Sequence, residues 1–94
     1  MKTIFMKEFA PLNSHQVGIK IQNKIIENIE KSDEVIILDF NDVNICTDSF
    51  SQQLTTILAT KITYKTLKER VKFRNLNDFL KELIKANLIK ASRI

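Results

Sequence analysis

The stretch Glu34-Val35-Ile36-Ile37-Leu38-Asp39-Phe40 decides the fold. It is too short for a helix of ordinary length and almost unbroken in its apolar character, which marks a strand covered on both faces or set in the middle of a sheet. Turn formers bracket it, Ser32-Asp33 before and Asn41-Asp42 after. Upstream the period changes. Val17, Ile21, Ile25 and Ile29 recur every fourth residue with Ile26 beside them, the stripe of an amphipathic helix from Ser14 to Lys31 with Ser14 as its N-cap. Gly18 lies on the apolar side of that helix, which predicts a close approach to a neighbouring strand. Before the helix, Thr3-Ile4-Phe5-Met6 and Lys7-Glu8-Phe9 read as a first strand, ended by Pro11 and Asn13.

Downstream of the central strand, Val43 and Ile45 are expected to turn back into the core, and Thr47-Asp48-Ser49 supplies a cluster of capping residues. Phe50, Leu54, Ile57 and Leu58 then give a second helical stripe, from Phe50 to Lys61. Residues 63–70 read as a short helical turn or an extension of that helix, with Tyr64 and Leu67 inward. Val71-Lys72-Phe73-Arg74-Asn75-Leu76 alternates apolar and polar, a strand pattern. Asn77 caps a last helix whose apolar positions are Leu80, Leu83, Ile84 and Leu88, with Phe79 beside them, continuing to Ala91. The order β-α-β-α-β-α predicts a small α/β fold, helices packed on a parallel or mixed sheet.

Ninety-four residues suffice for one domain, expected to span 1–94. One Gly and one Pro exclude collagen-like and linker-like chains and glycine-rich phosphate loops. One cysteine, Cys46, cannot form an internal disulfide, and with the single His15 it cannot complete a zinc site. No apolar leader precedes the first strand and no segment is long enough to span a bilayer, so a cytoplasmic protein is the expectation. The net charge of +4 is divided unevenly. Residues 1–60 carry five lysines against eight acids, and residues 61–94 carry ten basic residues against three acids. Such a charge dipole speaks of partners, not of fold.

Asp39, Asp42 and Asp48 fall near the C-terminal end of the central strand, where open α/β sheets place ligands, and form the one carboxylate group able to hold Mg²⁺. The plainer reading, a strand end, a turn and a cap, is preferred, and neither a metal nor a cofactor is expected. Cys46 reads as a small buried apolar residue and His15 as a solvated first-turn residue, since nothing completes a nucleophilic site with either. The chain is therefore expected not to be an enzyme. The basic last third, with Lys72, Arg74, Lys81, Lys85, Lys90 and Arg93, raises nucleic-acid binding as the alternative function, against which stands the lack of interleaved aromatic residues.

The stretch Asp39-Phe40-Asn41-Asp42-Val43-Asn44-Ile45-Cys46-Thr47-Asp48-Ser49-Phe50 resembles the STAS family, the anti-sigma factor antagonists and their relatives, in which a strand ending in Asp-Leu/Phe leads through a turn to Asp-Ser-Ser-Gly at a helix start. It is closest to a divergent STAS-like branch of unknown function. Val71-Lys72-Phe73-Arg74-Asn75-Leu76-Asn77 fits that branch's later strand and helix, and Leu12, Ser14 and Gly18 fit its beginning. The resemblance implies a regulatory module without enzymatic activity, whose partner is an ATPase of the histidine-kinase fold. It further implies a partner-binding loop comprising Asn41, Asp42, Asp48, Ser49, Phe50 and Ser51. Ser49 falls on the phosphoacceptor serine of the antagonists, with Thr47, Asp48 and Phe50 in place of the motif's Asp, Ser and Gly. From the residues alone the preferred reading of Ser49 is a plain helix N-cap, and the resemblance brings the two readings level.

Overall fold

Three short parallel strands, β1 (Lys2–Phe5), β2 (Ile36–Asp39) and β3 (Val71–Arg74), are hydrogen-bonded in the order β1-β2-β3. The computed structural model describes residues 1–93. Between and after the strands come α1 (His15–Lys31), α2 (Asp48–Gln52), α3 (Leu58–Ile62), α4 (Tyr64–Arg70) and α5 (Asp78–Ala91). Of the parallel and mixed sheets left open by the sequence, the parallel one is realised. The apolar run at 34–40 supplies the middle strand, and all four β2 residues are buried.

Register decides which face is core. Ile4 stands beside Leu38 and Leu38 beside Phe73, while Phe5, Asp39 and Arg74 align one step further on. Side chains alternate along a strand, so Ile4, Ile36, Leu38 and Val71 share the buried face and Lys72 and Arg74 the opposite one. Ile21 and Ile25 of α1, Phe50, Leu54 and Leu58 of the second helical segment, Leu67 of α4 and Leu80 of α5 complete the core with no more than 1% exposure each.

Several boundaries differ from the sequence expectation. The first strand ends at Phe5, and Met6–Phe9 close into a 3₁₀ turn that buries Met6. The third strand stops at Arg74 rather than Leu76 because Asn75 turns left-handed, φ 61°. Asn tolerates that region better than most residues. Residues 63–70 form a separate helix: Thr63, at φ 69°, breaks the path, and its hydroxyl accepts the Thr66 N–H at 3.2 Å to start α4. Leu67 is buried as expected and Tyr64 only partly. Ile45 does not enter the core; it is 69% exposed, and Val43 alone turns inward.

Between α2 and α3, Gln53–Ile57 adopt a π turn, so the helical path is continuous from Asp48 to Ile62 but widened in the middle. The Thr55 hydroxyl donates to the Ser51 carbonyl at 2.8 Å inside this segment. Gln53 is buried there, its amide donating to the Gln22 side-chain oxygen of α1 at 2.5 Å. Gly18 is the reason the two helices can meet. A Cβ at residue 18 would lie 2.7 Å from Gln53 Cγ and 2.8 Å from Gln53 Cβ. The close approach inferred from Gly18 is real, but the neighbour is a helix, not a strand.

Candidate functional site

A parallel sheet carries the C-terminal ends of all its strands on one rim, the usual place for function in an open α/β fold. Asp39 sits there, its side chain only 6% exposed. Its Oδ1 accepts from the Asn75 amide at 2.8 Å and the Asn41 N–H at 2.9 Å. Its Oδ2 accepts from Arg74 Nη2 at 3.0 Å and Nε at 3.2 Å, a forked pair. The Asn75 amide, the Asn41 N–H and the Arg74 guanidinium hold the carboxyl below its ordinary 3.8 despite the opposing effect of burial. Asp39 is thus a clamp between the end of β2 and the turn after β3.

The other two carboxylates lie apart from it. Asp42 is exposed in a left-handed turn, φ 65°, with the Lys7 ammonium 3.7 Å away. Asp48 opens α2, and its Oδ1 accepts from Asn87 Nδ2 of α5 at 3.2 Å. Among the described residues no three His, Cys, Asp or Glu side chains are grouped as metal ligands. His15, the first residue of α1, is exposed.

Ser49 is the second residue of α2 and is exposed. It does not cap the helix. Thr47 does, its hydroxyl accepting the Phe50 N–H at 3.2 Å. The Ser49 hydroxyl consequently has no intramolecular partner among the described residues. Of the other expected loop residues, Asn41, Asp42 and Asp48 are on the surface, whereas Phe50 and Ser51 are fully buried. Phe50 is a core plug, and the Ser51 hydroxyl accepts from Asn87 Nδ2 at 2.9 Å. Both are corrections to the expectation that they face a partner. The 3.6-residue period of a helix puts Phe50 on the same inward face as Leu54 and Leu58.

The loop at 41–47 is stitched to both neighbours. The Thr47 N–H donates to the Leu12 carbonyl at 3.0 Å, and Asn77 Nδ2 donates to the Asn44 carbonyl at 2.9 Å. Asn77 also caps α5, its Oδ1 accepting the Leu80 N–H at 2.8 Å. Between residues 10–13 and 42–47 lies a cavity of about 280 Å³, lined by Pro11, Leu12, Val43, Ile45 and Cys46. The Cys46 thiol is 6% exposed; burial, and secondly the nearby Asp48 charge, push it up to about 11. It is a packed sulfur rather than a nucleophile.

Sequence reasoning missed Asn87 and Asn75. Asn87 falls on the apolar stripe of α5, where a polar residue signals a buried partner, and it is 1% exposed. In the basic third, Lys72, Lys81, Lys85, Lys90 and Arg93 are exposed, whereas Arg74 is committed to Asp39. The Lys72 ammonium donates to the Lys68 carbonyl at 2.9 Å. No helix among the described residues is long and apolar enough to cross a membrane.

A strand ending in a clamped Asp, a short loop, and a helix presenting a hydroxyl on its first turn follow one another along the rim. The model of the STAS-like domain of unknown function, DUF4325, matches residues 17–85. The chain belongs to this family. The match runs from the first turns of α1 into α5 and so takes in β2, β3 and the whole rim between them. No curated protein and no solved structure matches this STAS-like chain.

Proposed function

We propose that this STAS-like domain is a non-enzymatic regulatory module that binds a protein partner through the exposed strip Asn41, Asp42, Asp48 and Ser49. The partner of this reading is an ATPase of the histidine-kinase fold, which phosphorylates Ser49 and is thereby released. The observation that carries it is the state of Ser49: exposed, on the first turn of α2, with the capping task taken by Thr47. A residue freed from capping is available for modification, and the unpaired N–H groups of a helix start favour an anion. A phosphate would add about −1.5 to −2 charges beside Asp48 and Asp42. Like-charge repulsion and the cost of desolvating the phosphate then weaken the complex while the fold stays intact.

The test is mass spectrometry of the protein incubated with its captured partner and ATP. Phosphate on Ser49 supports the reading; phosphate on Thr47 or on no residue overturns the switch. Ser49→Asp is expected to weaken partner capture with a nearly unchanged melting temperature, and Ser49→Ala to bind without accepting phosphate. Recovery of nucleic acid alone, lost steeply as salt rises, would favour the basic surface as the working face instead.

A further inference from the structure

We infer that the outer edge of β3 is a docking site for an extended acidic peptide segment, which adds to the sheet as a further strand. This inference is independent of Ser49. Among the described residues β3 pairs only with β2. The Arg74 carbonyl accepts the Phe40 N–H at 2.9 Å, which fixes Arg74 and, two residues back, Lys72 as the residues whose backbone groups face β2. The backbone of Val71 and Phe73 therefore faces away from the sheet. The Val71 N–H is taken by the Leu67 carbonyl of α4. The Val71 carbonyl and the N–H and carbonyl of Phe73 remain without a partner among the described residues, a short template for strand addition.

Beside this edge lies a cavity of about 270 Å³, lined by Leu67 of α4, Val71 and Phe73 of β3 and Leu88 of α5, with Lys68 and Lys72 at its rim. The cavity suits an aliphatic side chain at alternate positions of an added strand. The lysines choose the occupant. A second copy pairing antiparallel through the same edge about Phe73 would set Lys72 opposite Arg74, whose guanidinium Asp39 already holds, and so gives Lys72 no acid across that pair. An acidic strand meets two ammonium groups instead. Two aromatic groups line the cavity, Tyr64 and Phe73, both partly buried, and Phe73 is packed on Phe40 with ring centroids 6.3 Å apart and so is not free to stack on a base.

The experiment uses three fluorescent probes: a short peptide alternating glutamate and valine, its lysine–valine counterpart, and a single-stranded oligothymidylate. Binding is followed by anisotropy and, site by site, by amide hydrogen exchange. The glutamate peptide is expected to bind and to slow exchange of the Phe73 amide by roughly tenfold, with little change at β1. The double substitution Lys68→Glu with Lys72→Glu, on exposed side chains, should weaken that peptide by roughly tenfold or more, reverse the preference toward the lysine peptide, and leave the melting temperature in place. Four results would each overturn the inference. These are no glutamate-peptide binding at millimolar concentration, binding with Phe73 exchange unaltered, displacement of the peptide by the oligothymidylate, and Phe73 protection that accompanies a doubled sedimentation mass without peptide.

Discussion

Replacing Gly18 with alanine sets two effects of known sign against each other. In the interior of a 17-residue helix such as α1 the change should stabilise by about 0.8–1.0 kcal/mol through helix propensity alone. The new methyl, however, would lie 2.7 Å from Gln53 Cγ and 2.8 Å from Gln53 Cβ. These are the root atoms of a buried side chain, not its flexible end, so relief requires moving the π turn or breaking the Gln53–Gln22 hydrogen bond. Overpacking of this kind costs about 1–3 kcal/mol. A lost bond between buried amides adds about 1 kcal/mol. The net expectation is a loss of about 1–3 kcal/mol, which for a domain of this size lowers the melting temperature by at least ~4–8 °C. Thermal and urea unfolding followed by circular dichroism would measure it, with the urea slope unchanged. A Gly18→Ala protein that melts higher than the parent would show that propensity wins and that the α1 approach to the π turn is looser than described.

Two further outcomes follow from the rim. The folded-state carboxyl of Asp39 is held below its ordinary 3.8, so its contribution is present above about pH 4 and is lost as the pH falls through the lowered value. The difference in melting temperature between the parent and Asp39→Asn should be largest near neutrality and shrink in acid; a gap that stays constant down to about pH 2 would refute the clamp's ionic character. Cys46, raised from 9.0 to about 11, carries about a hundredfold less thiolate than an ordinary thiol at the same pH. A disulfide reagent should label it slowly in the native protein and promptly in urea, and equal rates would show the sulfur to be accessible.

What the sequence made legible was what repeats locally. The four-residue spacing of Ile21 and Ile25 led straight to buried positions on α1, and the caps at Ser14 and Asn77 are used as caps, accepting the Val17 and Leu80 N–H groups. The unbroken apolar character of 34–40 correctly marked the middle of the sheet. What was not legible depends on partners distant in the chain. Asp39 meets Arg74 and Asn75 across 35 and 36 residues, and no local pattern distinguishes that carboxylate from a turn former. Thr47, Asp48 and Ser49 are all good capping residues, so propensity could not tell which one the backbone would choose. The π turn leaves the Leu54 and Leu58 spacing intact and is silent in any periodicity. For Ile45 to enter the core together with Val43 the chain would have to alternate as a strand does, but residues 43–47 are not a strand, and Ile45 is left outside.

The hydrogen bonds that tie residue 47 to 12, 44 to 77, and 39 to 41, 74 and 75 join every loop on the rim to its neighbour. Three loops so joined have the mechanics of a plate rather than of three tethers. A partner landing on it does not have to freeze a floppy surface, so little of the association energy is consumed in ordering the domain. On the proposed reading, fast binding and fast release of a partner are then compatible with selectivity.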